Sequence, residues 1–234
     1  SFVMSLIFSF LKEKDWENAK SLISVNKEVL FEKDSAGVGP LFYAMGNVEI
    51  VKMILTGNPD AISSRNEQNG NYPLHMAAYC IVDVTFEVIE LIYNRFPAAL
   101  ERTNFIGNCP LHVLFQCANN QLVLSRDVRS RVGLVLNLFL SKYKEAAALV
   151  NKDGKLPLHY ACAKNFHVDI IKNVVDAFPN GVFAQEKKNK SMPLHYASAG
   201  SMAASARNEY GEVAIRSVQN LTLVVELLLQ YNPD

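Results

Sequence analysis

Five times the chain writes nearly the same phrase: Pro40-Leu41-Phe42-Tyr43-Ala44, Pro73-Leu74-His75-Met76-Ala77, Pro110-Leu111-His112, Pro157-Leu158-His159-Tyr160-Ala161 and Pro193-Leu194-His195-Tyr196-Ala197. A period of roughly 35 residues belongs to architectures that stack one supersecondary unit on the next, because a single unit cannot bury its own apolar face. The constraint bears on function as well as on fold. A row of equivalent units spreads its side chains along a surface and does not gather them into one pocket.

Each phrase sits in a longer cassette. Three residues before the proline stands Gly37, Gly70, Gly107 or Gly154, suited to a turn with positive φ, and Lys190 holds that place in the last phrase. The proline opens a first helix, where its missing N–H costs nothing. A second helix follows with paired apolar residues: Ile50-Val51/Ile54-Leu55, Val88-Ile89/Ile92-Tyr93, Val135-Leu136/Phe139-Leu140, Ile170-Ile171/Val174-Val175 and Val224-Val225/Leu228-Leu229. Such pairs make one wide buried helix face. Pro59, Pro97, Pro179 and Pro233 end these helices, and short runs such as Ala98-Ala99-Leu100 and Gly181-Val182-Phe183 lead back to the next turn. Phe2 to Leu11 and Asp15 to Ser24 read as a further helix pair, followed by Val29-Leu30-Phe31. The expected fold is all-α, about six helix pairs, with strand limited to short bridges beside the turns. The units fall at 1–36, 37–69, 70–106, 107–153, 154–189 and 190–234 of a single array.

The cassette resembles the ankyrin repeat, whose signature is a turn, then Thr-Pro-Leu-His-x-Ala-Ala, then a second helix. The likeness covers essentially the whole chain. It implies a curved ankyrin-type helical-repeat solenoid in which turns project as fingers, and the fingers and first helices line a concave face that binds other proteins. It also implies that His75, His112, His159 and His195 bond to turn backbone and tie units together. Departures are informative. Gly39, Tyr72, Cys109, Leu156 and Met192 replace the signature threonine, and losing a hydroxyl cap costs about 0.5–2 kcal/mol per helix. Phe42 replaces the first histidine. From signature proline to the first paired residue the spacings are 10, 15, 25, 13 and 31, which predicts long loops at Asn119 to Asp127 and Ser201 to Glu212.

Composition excludes several function classes. Lys plus Arg and Asp plus Glu both number 23, which argues against nucleic acid, whose phosphates need a basic excess. The apolar run Phe2 to Leu11 has no basic segment before it or cleavage site after it and is too short to span a bilayer, so no membrane insertion is expected in this segment. With no initiator methionine, the chain reads as part of a longer one. Cys80, Cys109, Cys117 and Cys162 form no Cys-x-x-Cys pair and fit small core thiols in a reducing, cytoplasmic compartment.

Four histidines at one place in four successive units cannot meet in a common site. His75–Cys80 and His112–Cys117 are five apart, off one helix face, and His159–Cys162 lacks a second ligand pair, so no metal or other cofactor is expected. His167 reads as a solvated loop residue. No phosphate loop, nucleophile elbow or carboxylate dyad is present, and no catalysis is expected. Tyr43, Tyr160 and Tyr196 read as inter-helix packing. Partner contact falls instead to the fingers: Arg65 and Arg102 in near-neutral ones, and Lys152, Lys155, Lys187, Lys188 and Lys190 in the later, basic ones, which would favour an acidic peptide or protein patch. Arg126, Arg129 and Arg131 form a rival basic site, with Asp127 placed to pair internally with Arg131. The reading is a protein-interaction module. The alternative is the regulatory or targeting arm of a larger enzyme or membrane channel, motivated by the strongly apolar last helix.

Overall fold

The computed structural model describes residues 2–116, 126–205 and 211–231. Among these described residues the chain is all-helical, with eleven α-helices, six 3₁₀ turns and no strand. The helices are α1 (Phe2–Lys12), α2 (Trp16–Val25), α3 (Val48–Gly57), α4 (Pro73–Tyr79), α5 (Phe86–Arg95), α6 (Pro110–Leu114), α7 (Arg126–Lys142), α8 (Pro157–Ala163), α9 (Val168–Ala177), α10 (Pro193–Ser205) and α11 (Gly211–Gln230).

They pack in two rows. One row runs α1, the 3₁₀ turn Pro40–Phe42, α4, α6, α8 and α10, each element touching the next. The other runs α2, α3, α5, α7, α9 and α11. Across the rows α1 packs on α2, α4 on α5, α6 on α7, α8 on α9 and α10 on α11. One continuous apolar core therefore extends between the rows.

The paired apolar residues build that core. Ile50, Val51, Ile54 and Leu55 are fully buried on α3, as are Ile170, Ile171, Val174 and Val175 on α9. Burying one such side chain stabilises by about 1.5–3 kcal/mol. Side chains at the cap positions set the starts: Asp15 accepts from the Asn18 N–H, and Asn47 accepts from Glu49 and Ile50.

Several sequence expectations change. In the last helix Val224, Leu227 and Leu228 are buried while Leu229 is 48% exposed, so the buried stripe follows i, i+3, i+4 and not the expected pairs. The first phrase makes only a three-residue 3₁₀ turn. Phe42 offers no acceptor to the Gly39 N–H, and α3 begins too soon afterwards for a longer helix. The runs after α3, α5 and α9 are not plain connectors but 3₁₀ turns, Pro59–Ser63, Pro97–Leu100 and Pro179–Phe183, with two more at Lys27–Phe31 and Lys144–Ala148. Of the expected loop at Ser201 to Glu212, the described residues are helical: α10 runs to Ser205 and α11 starts at Gly211. Alanine-rich composition favours helix, and the serine and glycine content misled. Pro233, Cys117 and most of the Asn119 to Asp127 loop lie outside the described residues. No helix of the described residues is long and apolar enough to cross a membrane.

Candidate interaction surface

The five turns share one internal design. A side chain six or seven residues before the proline accepts hydrogen bonds from backbone N–H groups within its own turn. Asp34 Oδ1 accepts from Ala36 and Val38, Asn104 Oδ1 from Ile106 and Asn108, and Asn151 Oδ1 from Asp153 and Lys155, all at 2.9–3.1 Å. Asn66 does the same for Gln68 and Asn69. In the fifth turn the longer Glu186 reaches Lys188, Asn189 and Ser191. Burial pushes the Glu186 carboxyl up, and the backbone N–H groups outweigh that, leaving its pKa below the ordinary value.

Each turn also needs one residue with positive φ. Gly37, Gly70, Gly107 and Gly154 supply it at 72–81°, and Lys190 is held at 57°. Gly107 has a second constraint: a Cβ there would lie 2.8 Å from the Lys152 backbone nitrogen. That close approach exists because neighbouring turns are bonded backbone to backbone. The Phe105 N–H donates to the Asn69 carbonyl at 2.9 Å, Lys152 to Ile106 at 3.1 Å and Lys187 to Asp153 at 2.8 Å. The Asn104 amide adds a bond to Asn71 at 2.9 Å, and the Asn151 amide one to Asn108 at 2.8 Å. The second to fifth turns thus form a cross-linked row.

The histidines anchor that row to the first helices. The Nδ1 atoms of His75, His112, His159 and His195 accept from the N–H of Tyr72, Cys109, Leu156 and Met192 at 3.0–3.3 Å. Nδ1 as acceptor fixes the proton on Nε2. His75 Nε2 donates to the Asn108 carbonyl at 2.9 Å and His112 Nε2 to Lys155 at 3.0 Å; His159 Nε2 faces the Ala184 carbonyl at 3.1 Å and the Ser191 carbonyl at 3.3 Å. The N–H that the ring takes belongs to the residue before the proline and is a different group from those a threonine hydroxyl would cap. Burial pushes His75 and His112 down to about 4 and lowers His159, so all three rings are neutral at pH 7. Both nitrogens of these rings meet backbone groups, and His112 Nδ1 also lies 3.0 Å from the buried Cys109 sulfur.

The other chemistry-bearing groups are similarly occupied. Cys80, Cys109 and Cys162 are free thiols, and burial pushes all three pKa values up, Cys109 to about 11. No group of three or more His, Cys, Asp or Glu among the described residues could hold a metal ion. His167 is not simply solvated as expected. Its Nε2 lies 2.9 Å from the Arg129 guanidinium, and its Nδ1 accepts from the Asp169 N–H at 3.3 Å as the cap of α9, 3.4 Å from the Asp169 carboxylate. Arg129 also pairs with Asp169, while Arg131 pairs with Asp127 at 3.2 Å and donates to the Val82 carbonyl. The rival basic site is thus largely spent on internal contacts, leaving Arg126 exposed.

The candidate contact residues divide in the same way. Arg65 donates to the Gly70 and Thr103 carbonyls and lies about 5 Å from the Tyr72 and Phe105 rings, a structural clamp between turns. Lys187 donates to the Lys152 carbonyl at 2.8 Å. Half-buried Lys155 lies over the Tyr160 and Tyr196 rings. Arg102, Lys152, Lys188 and Lys190 are exposed. The three tyrosines are half-buried beside the turn bases: Tyr43 donates to Asp34 at 2.6 Å, Tyr160 accepts from Asn151 at 3.0 Å, and Tyr196 packs edge-on to His159. Sequence reasoning did not identify the turn-base acceptors. Their signal was an Asp, Asn or Glu before every phrase, disguised by a spacing that is six in three turns and seven in two.

No protein-family model matches the chain, and no curated protein matches its sequence. Among solved structures, it is similar to a chain in the structure of a predatory endopeptidase from Bdellovibrio bacteriovorus in complex with an immunity protein. The match covers 84% of this chain and 92% of that one, with a TM-score of 0.61 and 19% identity. At that identity the likeness is one of fold.

Proposed function

We propose that this chain is a protein-interaction module: an ankyrin-type helical-repeat solenoid that binds a partner protein or peptide along its turn fingers and first helices, without catalysis of its own. The observation that carries the reading is the cross-linked row of turns. Backbone bonds, amide bonds and histidine donors all act to hold the turns in register, while Lys152, Lys188 and Lys190 at their tips stay exposed. A pre-ordered edge binds without first losing conformational freedom, which favours recognition. The structural neighbour comes from a complex of two proteins, in keeping with such a role. Buried free thiols fit a reducing compartment.

Affinity capture with the full chain, followed by hydrogen exchange on each reconstituted complex, tests the proposal. Protection is expected at residues 104–109, 151–156 and 186–192 and on α4, α6 and α8. Protection confined to α3, α5 and α9 would sink it.

A further inference from the structure

We infer that the third to fifth turns form one docking edge for an acidic peptide carrying an apolar residue, laid in extended form across the turn tips; this rests on the binding-module reading and adds the partner's chemistry. The chain as a whole is balanced at 23 cationic and 23 acidic residues. The segments 104–109, 151–156 and 186–192 hold five lysines against Asp153 and Glu186. Glu186 is buried, its oxygens taken by backbone N–H groups, so Asp153 is the one exposed acid in these segments. The basic excess is therefore a local segregation, which attracts acidic chain by long-range steering.

The apolar component sits at the tip of the third turn. Ile106 is 54% exposed and Phe105 45%. Tight turns favour Gly, Asn, Asp and Ser, and an isoleucine there gains little from folding while it stays wet. Its carbonyl is bonded to the Lys152 N–H at 3.1 Å, so the apolar tip abuts the first lysine of the edge. Phe105 is flanked on one side by Arg65 and by Gly70. Together they offer an apolar seat beside a run of cations.

Spacing sets the peptide's pattern. Each turn is two chains wide, about 10 Å per unit, and extended chain advances about 3.3 Å per residue. Phe105 holds in the third turn the place that Lys152 holds in the fourth, so an apolar residue seated beside Phe105 places acidic residues about three positions on at Lys152 and about six on at Lys188 and Lys190.

Fluorescence anisotropy with the full chain at about 50 mM salt provides the test. The probe is a labelled synthetic peptide of about twelve residues, with one leucine followed three to six positions later by glutamates. Peptides with serine for leucine, or lysine for the glutamates, and a single-stranded thymidine oligonucleotide are compared. The acidic probe should bind, about tenfold more weakly to the variant combining Lys152→Glu, Lys188→Glu and Lys190→Glu. Ile106→Ser should weaken it about fivefold. Lys142→Glu at the end of α7, combined with Lys144→Glu in the 3₁₀ turn that follows it, should leave it unchanged. Circular dichroism melting checks that the variants fold, and the corresponding Lys→Gln triple should give an intermediate loss. Equal affinity for acidic and basic probes, no loss in the Lys→Glu triple variant, or tighter binding of the oligonucleotide overturns the inference. If that happens while captured partners still protect the turns, the partner chemistry is wrong and the module reading stands; if protection lies elsewhere, both fall.

Discussion

A lysine occupies the one turn position that glycine fills in the other four units. Lys190 is held at φ 57°, a left-handed conformation that costs a residue with a Cβ roughly 1–2 kcal/mol. Lys190→Gly should therefore raise the melting temperature by about 2–4 °C, read by thermal denaturation, since part of the relief is offset by glycine's freedom in the unfolded chain. The reverse change at Gly107 should be severe. Gly107→Ala forces a Cβ to within 2.8 Å of the Lys152 nitrogen at φ 81°, and should cost more than about 2 kcal/mol in urea titration. His112→Ala removes the acceptor for the Cys109 N–H and the donor for the Lys155 carbonyl at once. A loss of about 2–4 kcal/mol is expected; a loss near zero would mean that the ring does not tie the units.

Among elements, the second-row helices were the most legible in the sequence. Paired apolar residues placed the buried faces of α3 and α9 correctly because burial on one side imposes the 3.6-residue period. The elements that escaped notice obey no such period. The 3₁₀ turns after the second helices are too short to show one, and the turn-base acceptors vary between Asp, Asn and Glu with shifting register. Composition misled at α10, where Ser and Gly suggested a loop although the run continues the helix to Ser205. Of the proposed contact residues, the sequence located the basic turns but could not show that Arg65 and Lys187 spend their donors on neighbouring carbonyls. Packing between elements also yields a prediction. Ile89 is fully buried on α5, between α3 and α7, and Ile89→Ala should cost about 2–4 kcal/mol. Hydrogen exchange should quicken in α3 and α7 before it does in α11, since units couple chiefly to their neighbours.

For the molecule as a whole, the neutral histidines couple stability to acidity. His75 and His112 titrate at about 4 when folded against about 6.5 when unfolded, and His159 is shifted in the same direction. The unfolded chain binds more protons between those values, so stability falls as pH drops from about 6.5 towards 4 and is fully present above. For His75 and His112 the linkage is on the order of 3 kcal/mol each. Protonation also turns Nδ1 into a donor facing another donor, the backbone N–H beside it. A melting temperature lower by several degrees at pH 4.5 than at pH 7 is expected, with the drop reduced in the His112→Ala variant.

The links from His75 and His112 point the same way along the chain, each ring receiving from its own block and giving to a carbonyl of the block that follows, and His159 faces both Ala184 of its own block and Ser191 of the next. Because the giving ring and the receiving carbonyl recur at matching places, excising one complete block brings the upstream ring to an equivalent partner. Deletion of 107–153 would join residue 106 to Gly154 and set His75 against the Lys155 carbonyl, which stands at the place Asn108 holds in its own turn, while His159 keeps its partners. Length is in that sense an editable property: the shortened chain should fold cooperatively, whereas a deletion offset by ten residues leaves rings and carbonyls mismatched and should not.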